Sequence, residues 1–152
     1  MLQYYDICAY DYSGYGASNG KPSESNVYAD LGAVYQALIR NFELTPGKIV
    51  LVGFSLGTAA AVDLASQVPV KGVVLLSPFA SALRILLPNL KRTLNVDSFA
   101  SIDKISNVSA RILIIHGLDD RIVPWKHTQM LLQRVPNATE PELIPRVGHN
   151  TI

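Results

Sequence analysis

The chain lacks the features that define several large classes of protein. Its 152 residues include one cysteine, which excludes an internal disulfide framework. Only 16% of the residues are charged, and a net charge of +1 gives no electrostatic reason to expect a nucleic acid partner. No apolar stretch approaches the ~20 residues of a membrane-spanning helix, and no secretory signal is recognisable. We therefore expect an intracellular protein, in the cytoplasm or at the cytoplasmic face of membranes.

What the chain does contain is a regular alternation of apolar runs and helical patterns. The apolar share of 49% and the length suit a single domain spanning residues 1–152. Strands alternating with helices predict an α/β fold, with a parallel sheet and helices on both faces. The predicted strands are 4–10, 48–54, 70–76, 111–115 and 139–144. The predicted helices are 23–42, capped by Ser23, then 56–67 and 124–134, and residues 79–109 form a lid-like connection.

The most informative segment is Gly53-Phe54-Ser55-Leu56-Gly57, at the junction of a predicted strand and helix. The run 48–54 is apolar enough to predict a strand buried on both faces. A serine on a sharp strand-to-helix turn exposes its hydroxyl, and we expect a side chain at either flanking glycine to clash. The Leu56 N–H at the helix start is suited to hold an oxyanion. The pattern predicts that Ser55 is a nucleophile.

Such a serine needs a base and an orienting acid. Of the three histidines, we predict that His149, in a polar glycine-containing loop, is the base. His116, at a strand end, is the alternative and more typical of a structural residue, whereas His127 is interpreted as a surface residue. Either Asp119 or Asp120, directly after strand 111–115, could be the acid. Cys8, in predicted strand 4–10, is expected to be a small core residue rather than a nucleophile.

Several strings, in order, resemble the α/β-hydrolase superfamily, and most closely the α/β-hydrolase-domain proteins of family seventeen. They are Asp11-Tyr12-Ser13-Gly14-Tyr15-Gly16-Ala17-Ser18, Gly53-Phe54-Ser55-Leu56-Gly57-Thr58, Ile114-Ile115-His116-Gly117-Leu118-Asp119-Asp120 and Gly148-His149-Asn150. The resemblance implies a serine hydrolase that removes palmitate from protein cysteines, without metal or cofactor. It also implies that the acid is Asp120, beside Ser55 and His149.

The chain departs from that family pattern at both ends. Members carry strands 1–3 and a first helix before the segment that starts here, a palmitoylated cysteine cluster that holds them on membranes, and a last helix beyond His149. The loop that supplies their second oxyanion N–H has no match. We expect strands 4–10 and 48–54 to stand about two strand spacings apart, ~9–10 Å, rather than to pair at ~4.8 Å.

Two functional classes follow from these observations. In the first, the chain is an ester or thioester hydrolase acting on acyl esters or S-acylated proteins. Any membrane association would then be peripheral and would depend on the missing N-terminal segment. In the second, the chain is a non-catalytic hydrolase fragment that acts at most as a binding module.

Overall fold

The fold is built on a four-stranded parallel sheet, as the alternating pattern predicts. The structure, a computed structural model, describes residues 5–152. The strands pair in chain order, so each neighbours the next one along the sequence. They are β1 (Val50–Phe54), β2 (Gly72–Leu76), β3 (Arg111–Gly117) and β4 (Glu142–Ile144).

Helices connect these strands, and each predicted helix is present with slightly shorter bounds. The helices are α1 (Glu24–Asn41), α2 (Leu56–Ala65), α3 (Ala82–Leu86), α4 (Ser101–Lys104) and α5 (Lys126–Leu132), with 3₁₀ turns at Pro46–Lys48, Ile105–Asn107 and His149–Thr151. The predicted cap of α1 is confirmed, because the Ser23 hydroxyl accepts the Asn26 N–H at 3.1 Å. Within residues 5–152 no helix has the length and apolar character needed to cross a bilayer.

One apolar core joins the sheet to its helices. Alternate residues of neighbouring strands share a face of a sheet, and one face carries the buried side chains. The core includes Leu51, Leu75, Ile112 and Ile114 from the sheet and Tyr35, Val62, Ile102 and Leu131 from the helices. On β1 the alternate residues Val50, Val52 and Phe54 are exposed, so the prediction that this strand is buried on both faces is wrong. Their side chains point to the face opposite the core.

The predicted strand 4–10 is also wrong over residues 5–10, and Tyr4 lies outside the described residues. Residues 5–10 belong to no β-ladder, and an apolar run becomes a strand only where a neighbouring strand supplies hydrogen bonds. Cys8 is consequently exposed rather than part of the core. A cavity of about 430 Å³ is lined by Tyr10 and Tyr12 and by residues 51–57, so direct pairing of the segment with β1 does not occur.

Polar contacts order the connection 79–109 internally, and one of them ties it to the start of α1. The buried guanidinium of Arg84 contacts the Asp97 carboxylate at 3.3 Å and the Ser81 hydroxyl at 3.0 Å. Further along, the Phe99 N–H donates to the Glu24 carboxylate at 2.7 Å. This last bond holds Phe99 beside the start of α1.

Candidate active site

Ser55 occupies the sharp turn between β1 and α2, and its backbone is strained. Its φ of 49° lies in the left-handed region, which is uncommon for a residue with a side chain. The Ser55 N–H donates to the Leu76 carbonyl at 3.0 Å, and the Ser55 carbonyl accepts the Thr58 N–H at 3.0 Å. These two bonds tie the turn to β2 on one side and to α2 on the other, and they leave the hydroxyl half-buried at the surface.

The two glycines around Ser55 have different roles. A Cβ on Gly53 would collide with the carbonyl of Gly57, because β1 and α2 approach closely there. At Gly57 the nearest atom to an added Cβ is the Tyr12 hydroxyl, at an ordinary contact distance of 3.6 Å. The prediction that both glycines are sterically required is therefore correct for Gly53 and wrong for Gly57.

Asp120 is held in the loop after β3 by hydrogen bonds to both carboxylate oxygens. Its Oδ1 accepts the N–H groups of Ile122 at 3.0 Å and Val123 at 2.8 Å, and its Oδ2 accepts from His149 Nδ1 at 2.7 Å. Burial alone would raise the pKa of Asp120. The bonds from Val123 and His149 stabilise the carboxylate and hold the pKa below its ordinary value. Asp120 is thus an ionised acceptor for the His149 ring.

Asp119, the other candidate acid, does not face the histidine. Its side chain is exposed, and its backbone N–H donates to the Val147 carbonyl at 3.0 Å. The predicted contact between Asp120 and His149 is therefore present, with Asp119 as a solvated turn residue.

His149 lies in the loop after β4, which packs closely against the end of β3. A Cβ on Gly117 would collide with the Val147 carbonyl, so this glycine permits the approach. The second ring nitrogen of His149, Nε2, lies 2.9 Å from the Ser55 hydroxyl oxygen. Because a carboxylate only accepts, Nδ1 carries the proton and Nε2 is free to accept from the hydroxyl. The ring of Phe54 packs against the imidazole with centroids 5.2 Å apart.

The other two histidines lie in the interior. His116 is fully buried, as expected for a structural residue, and does not contact Ser55. His127 was predicted to be a surface residue, but it is 2% exposed and its Nδ1 accepts the Ala80 N–H at 3.2 Å. Burial, reinforced by nearby positive charge, lowers the pKa of His127 to about 4. The prediction was wrong because the ring of His127 lies on the inward face of α5, although it is polar.

Two groups complete the surroundings of Ser55. Leu56 is the first residue of α2, and the first N–H groups of a helix have no acceptor within it. The Leu56 N–H is therefore available at the predicted oxyanion position. Tyr12, for which no role was predicted, lines the cavity beside Ser55. It also lines a second cavity of about 480 Å³, together with Tyr15, Val27, Leu56 and Phe99. In the sequence, Tyr12 follows an apolar run and lies near a glycine-containing loop, and this position could have indicated a role at the site.

Comparisons with known proteins agree with the fold described above. Residues 2–100 match the family model described as the Alpha/beta hydrolase family. The chain is 46% identical over 147 residues to Alpha/beta hydrolase domain-containing protein 17C of Mus musculus, covering 97% of this chain and 46% of that protein. It is 41% identical to protein 17B of Homo sapiens, with coverages of 97% and 51%. The chain thus spans about half the length of the curated relatives it matches.

A solved structure supports the fold independently. The alpha-beta hydrolase from Vibrio vulnificus superposes with a TM-score of 0.75 over 93% of this chain and 56% of that one, at 21% identity. The predicted resemblance to α/β hydrolases is confirmed.

Proposed function

Because this chain belongs to the alpha/beta hydrolase family, we propose that Ser55, His149 and Asp120 form the catalytic triad of a serine hydrolase that cleaves acyl esters or thioesters. The observation that carries the proposal is the continuous chain of hydrogen bonds from Ser55 Oγ through the imidazole to Asp120, at 2.9 and 2.7 Å. The order Ser, Asp, His along the chain is that of α/β hydrolases.

The proposed reaction has two halves. His149 Nε2 takes the hydroxyl proton as Ser55 Oγ attacks the acyl carbonyl, and Asp120 stabilises the resulting imidazolium. The Leu56 N–H stabilises the tetrahedral oxyanion. The imidazolium then gives its proton to the leaving thiolate or alkoxide, and an acyl-enzyme remains on Ser55. Water, deprotonated by His149, releases the carboxylic acid and restores the serine.

An S-acylated protein is the substrate class that we favour. The resemblance to the family-seventeen proteins implies palmitoyl thioesters, and the cavity beside Leu56 is lined largely by aromatic and aliphatic side chains suited to an acyl chain. Such substrates place the reaction at the cytoplasmic face of a membrane.

A second candidate function is supported by β1. In the described part of the chain this strand pairs only with β2, and its outer face is exposed. A chain that fails to hold the Ser55 turn would be a non-catalytic module that binds acylated partners without cleaving them.

Hydrolysis of matched substrates separates these functions. The purified chain is given a palmitoylated-cysteine peptide and the corresponding serine ester, and free thiol and fatty acid are measured. We expect thiol release that is lost in Ser55→Ala and retained in Ser106→Ala, a change at an exposed serine elsewhere in the chain. Binding of the peptide without release of thiol, in the wild type, would favour the module instead.

A further inference from the structure

His116 is the second imidazole that faces Asp120. Its Nε2 lies 3.4 Å from Asp120 Oδ2, the same oxygen that accepts from His149. Both side chains at this contact are fully buried. We propose that His116 is a positioning residue that fixes the carboxylate of Asp120 for His149, an inference that rests on the proposed function of the triad.

The partners of His116 determine which of its nitrogens carries the proton. Nε2 lies 2.8 Å from the carbonyl oxygen of Val123, and a carbonyl can only accept, so Nε2 is the donor. Nδ1 then accepts the Thr128 hydroxyl at 2.7 Å. The Val123 carbonyl therefore fixes the tautomer that directs an N–H toward Val123 and Asp120, and the Thr128 hydroxyl on α5 satisfies the lone pair of Nδ1. Burial lowers the pKa of His116, which keeps the ring neutral in this arrangement.

Val123 joins this imidazole to the opposite side of the carboxylate. Its N–H donates to Asp120 Oδ1 at 2.8 Å, while its carbonyl accepts from His116 Nε2. The hydrogen bond from His116 thus holds the Val123 turn, which in turn donates to Oδ1, and the same His116 nitrogen lies 3.4 Å from Oδ2. Rotation of the carboxylate away from His149 would break contacts at both oxygens. A neutral N–H group beside Oδ2 restrains the carboxylate without competing with His149 for a proton.

The position of His116 excludes a direct part in proton transfer. Its two nitrogens are both engaged, and its side chain has no exposed area from which to reach a substrate. It is a functional residue that the sequence offered only as an alternative base. Its effect on the reaction would pass through Asp120.

Two substitutions of His116 distinguish positioning from packing. The amide nitrogen of His116→Gln reaches the place of Nε2 and keeps a donor toward Val123 and Asp120. The shorter His116→Asn reaches only the place of Nδ1 and loses that donor. We expect kcat to fall by about 10–10²-fold in the Asn variant with little change in KM, and the Gln variant to recover most of the loss. His127→Gln, which removes a buried imidazole that does not contact Asp120, controls for lost packing.

Thr128 provides a second, milder pair in case a change at His116 prevents folding. Thr128→Val keeps the shape and removes the hydroxyl that hydrogen-bonds to Nδ1, whereas Thr128→Ser keeps the hydroxyl. We expect kcat to fall in the Val variant and to stay near wild type in the Ser variant. Equal rates in both members of each pair, whether high or low, would overturn the inference.

Amide exchange makes the inference testable apart from activity. If the carboxylate is held as described, hydrogen-exchange protection of the Ile122 and Val123 N–H groups falls in His116→Asn and is retained in His116→Gln. An inactive wild type that still shows this contrast would contradict the proposed function and support the positioning role. An active wild type with the same protection in both variants would contradict the positioning role alone.

Discussion

Two of the strands that lead to the site, β1 and β3, are supported very differently. β3 is an inner strand, paired on both sides, and the loop after it holds Asp120 by hydrogen bonds at both oxygens. β1, which leads to Ser55, lies at the edge of the described sheet and exposes Val52 to 68%. Burial and strand pairing thus hold Asp120 more firmly than Ser55. Matched substitutions on the two sides of such comparisons should therefore have unequal effects.

The largest expected effect separates the two aspartates after β3. Asp120→Asn removes the ionised acceptor of His149 and should lower kcat by about 10³–10⁴-fold. Asp119→Asn, at an exposed side chain, should change it by no more than about twofold. Steady-state kinetics on an activated ester measure both. A larger loss from the Asp119 change would mean that the loop is arranged differently in solution.

The two faces of the sheet should differ in their contribution to stability. Leu75 on β2 is fully buried, so Leu75→Ala should cost about 2–5 kcal/mol of unfolding free energy. Val52→Thr on β1 keeps a β-branched side chain at an exposed position and should cost below about 0.5 kcal/mol. Urea denaturation compares them. A comparable loss at Val52 would show that the outer face of β1 is covered.

The two glycines of the serine turn offer a third comparison. Gly53→Ala introduces a methyl against the Gly57 carbonyl and should destabilise the chain by about 1–3 kcal/mol. Gly57→Ala meets no close atom inside α2 and should be neutral or stabilising by up to ~1 kcal/mol. Thermal unfolding followed by circular dichroism measures both changes. The opposite ranking would contradict the close approach of β1 and α2.

Mild acid should lower the free energy of unfolding through a histidine buried in the interior. The folded chain protonates His127 only near pH 4, whereas the unfolded chain binds that proton below about pH 6.5. The contribution that buried, neutral His127 makes to stability is therefore complete above pH 6.5 and declines as the pH falls toward 4. Between pH 7 and pH 5 the wild type should lose on the order of 2 kcal/mol through this group.

His127→Gln removes that titration and should make the loss smaller. It should not abolish the loss, because the pKa of buried His116 is lowered in the same direction. Urea denaturation at the two pH values provides the comparison. An equal loss in wild type and variant would show that His127 is not the group responsible.

The sequence predicted best those elements that carry their own local signals. The serine turn, the Ser23 cap and the loop containing Asp120 each combine a short motif with an apolar run, and each is present. The choice between Asp119 and Asp120 needed the family resemblance. The conformation of a tight loop decides which of the two side chains faces His149, and no local pattern specifies that conformation.

The errors concern contacts that no local pattern specifies. Residues 5–10 are apolar enough for a strand, but a strand forms only beside a partner. His127 was misplaced because burial of a histidine depends on a distant acceptor, here the Ala80 N–H. Exposure of one face of β1 likewise depends on what packs against it, which the apolar run 48–54 does not encode.

The central claim is that this chain assembles a working nucleophile at Ser55, and covalent labelling tests it most directly. The folded protein is treated with a fluorophosphonate, digested, and the adduct is located by mass spectrometry. We predict a single modified serine, Ser55, with labelling lost in Ser55→Ala and strongly slowed in Asp120→Asn. Absence of an adduct from the wild type, or labelling that persists in Ser55→Ala, would contradict the account.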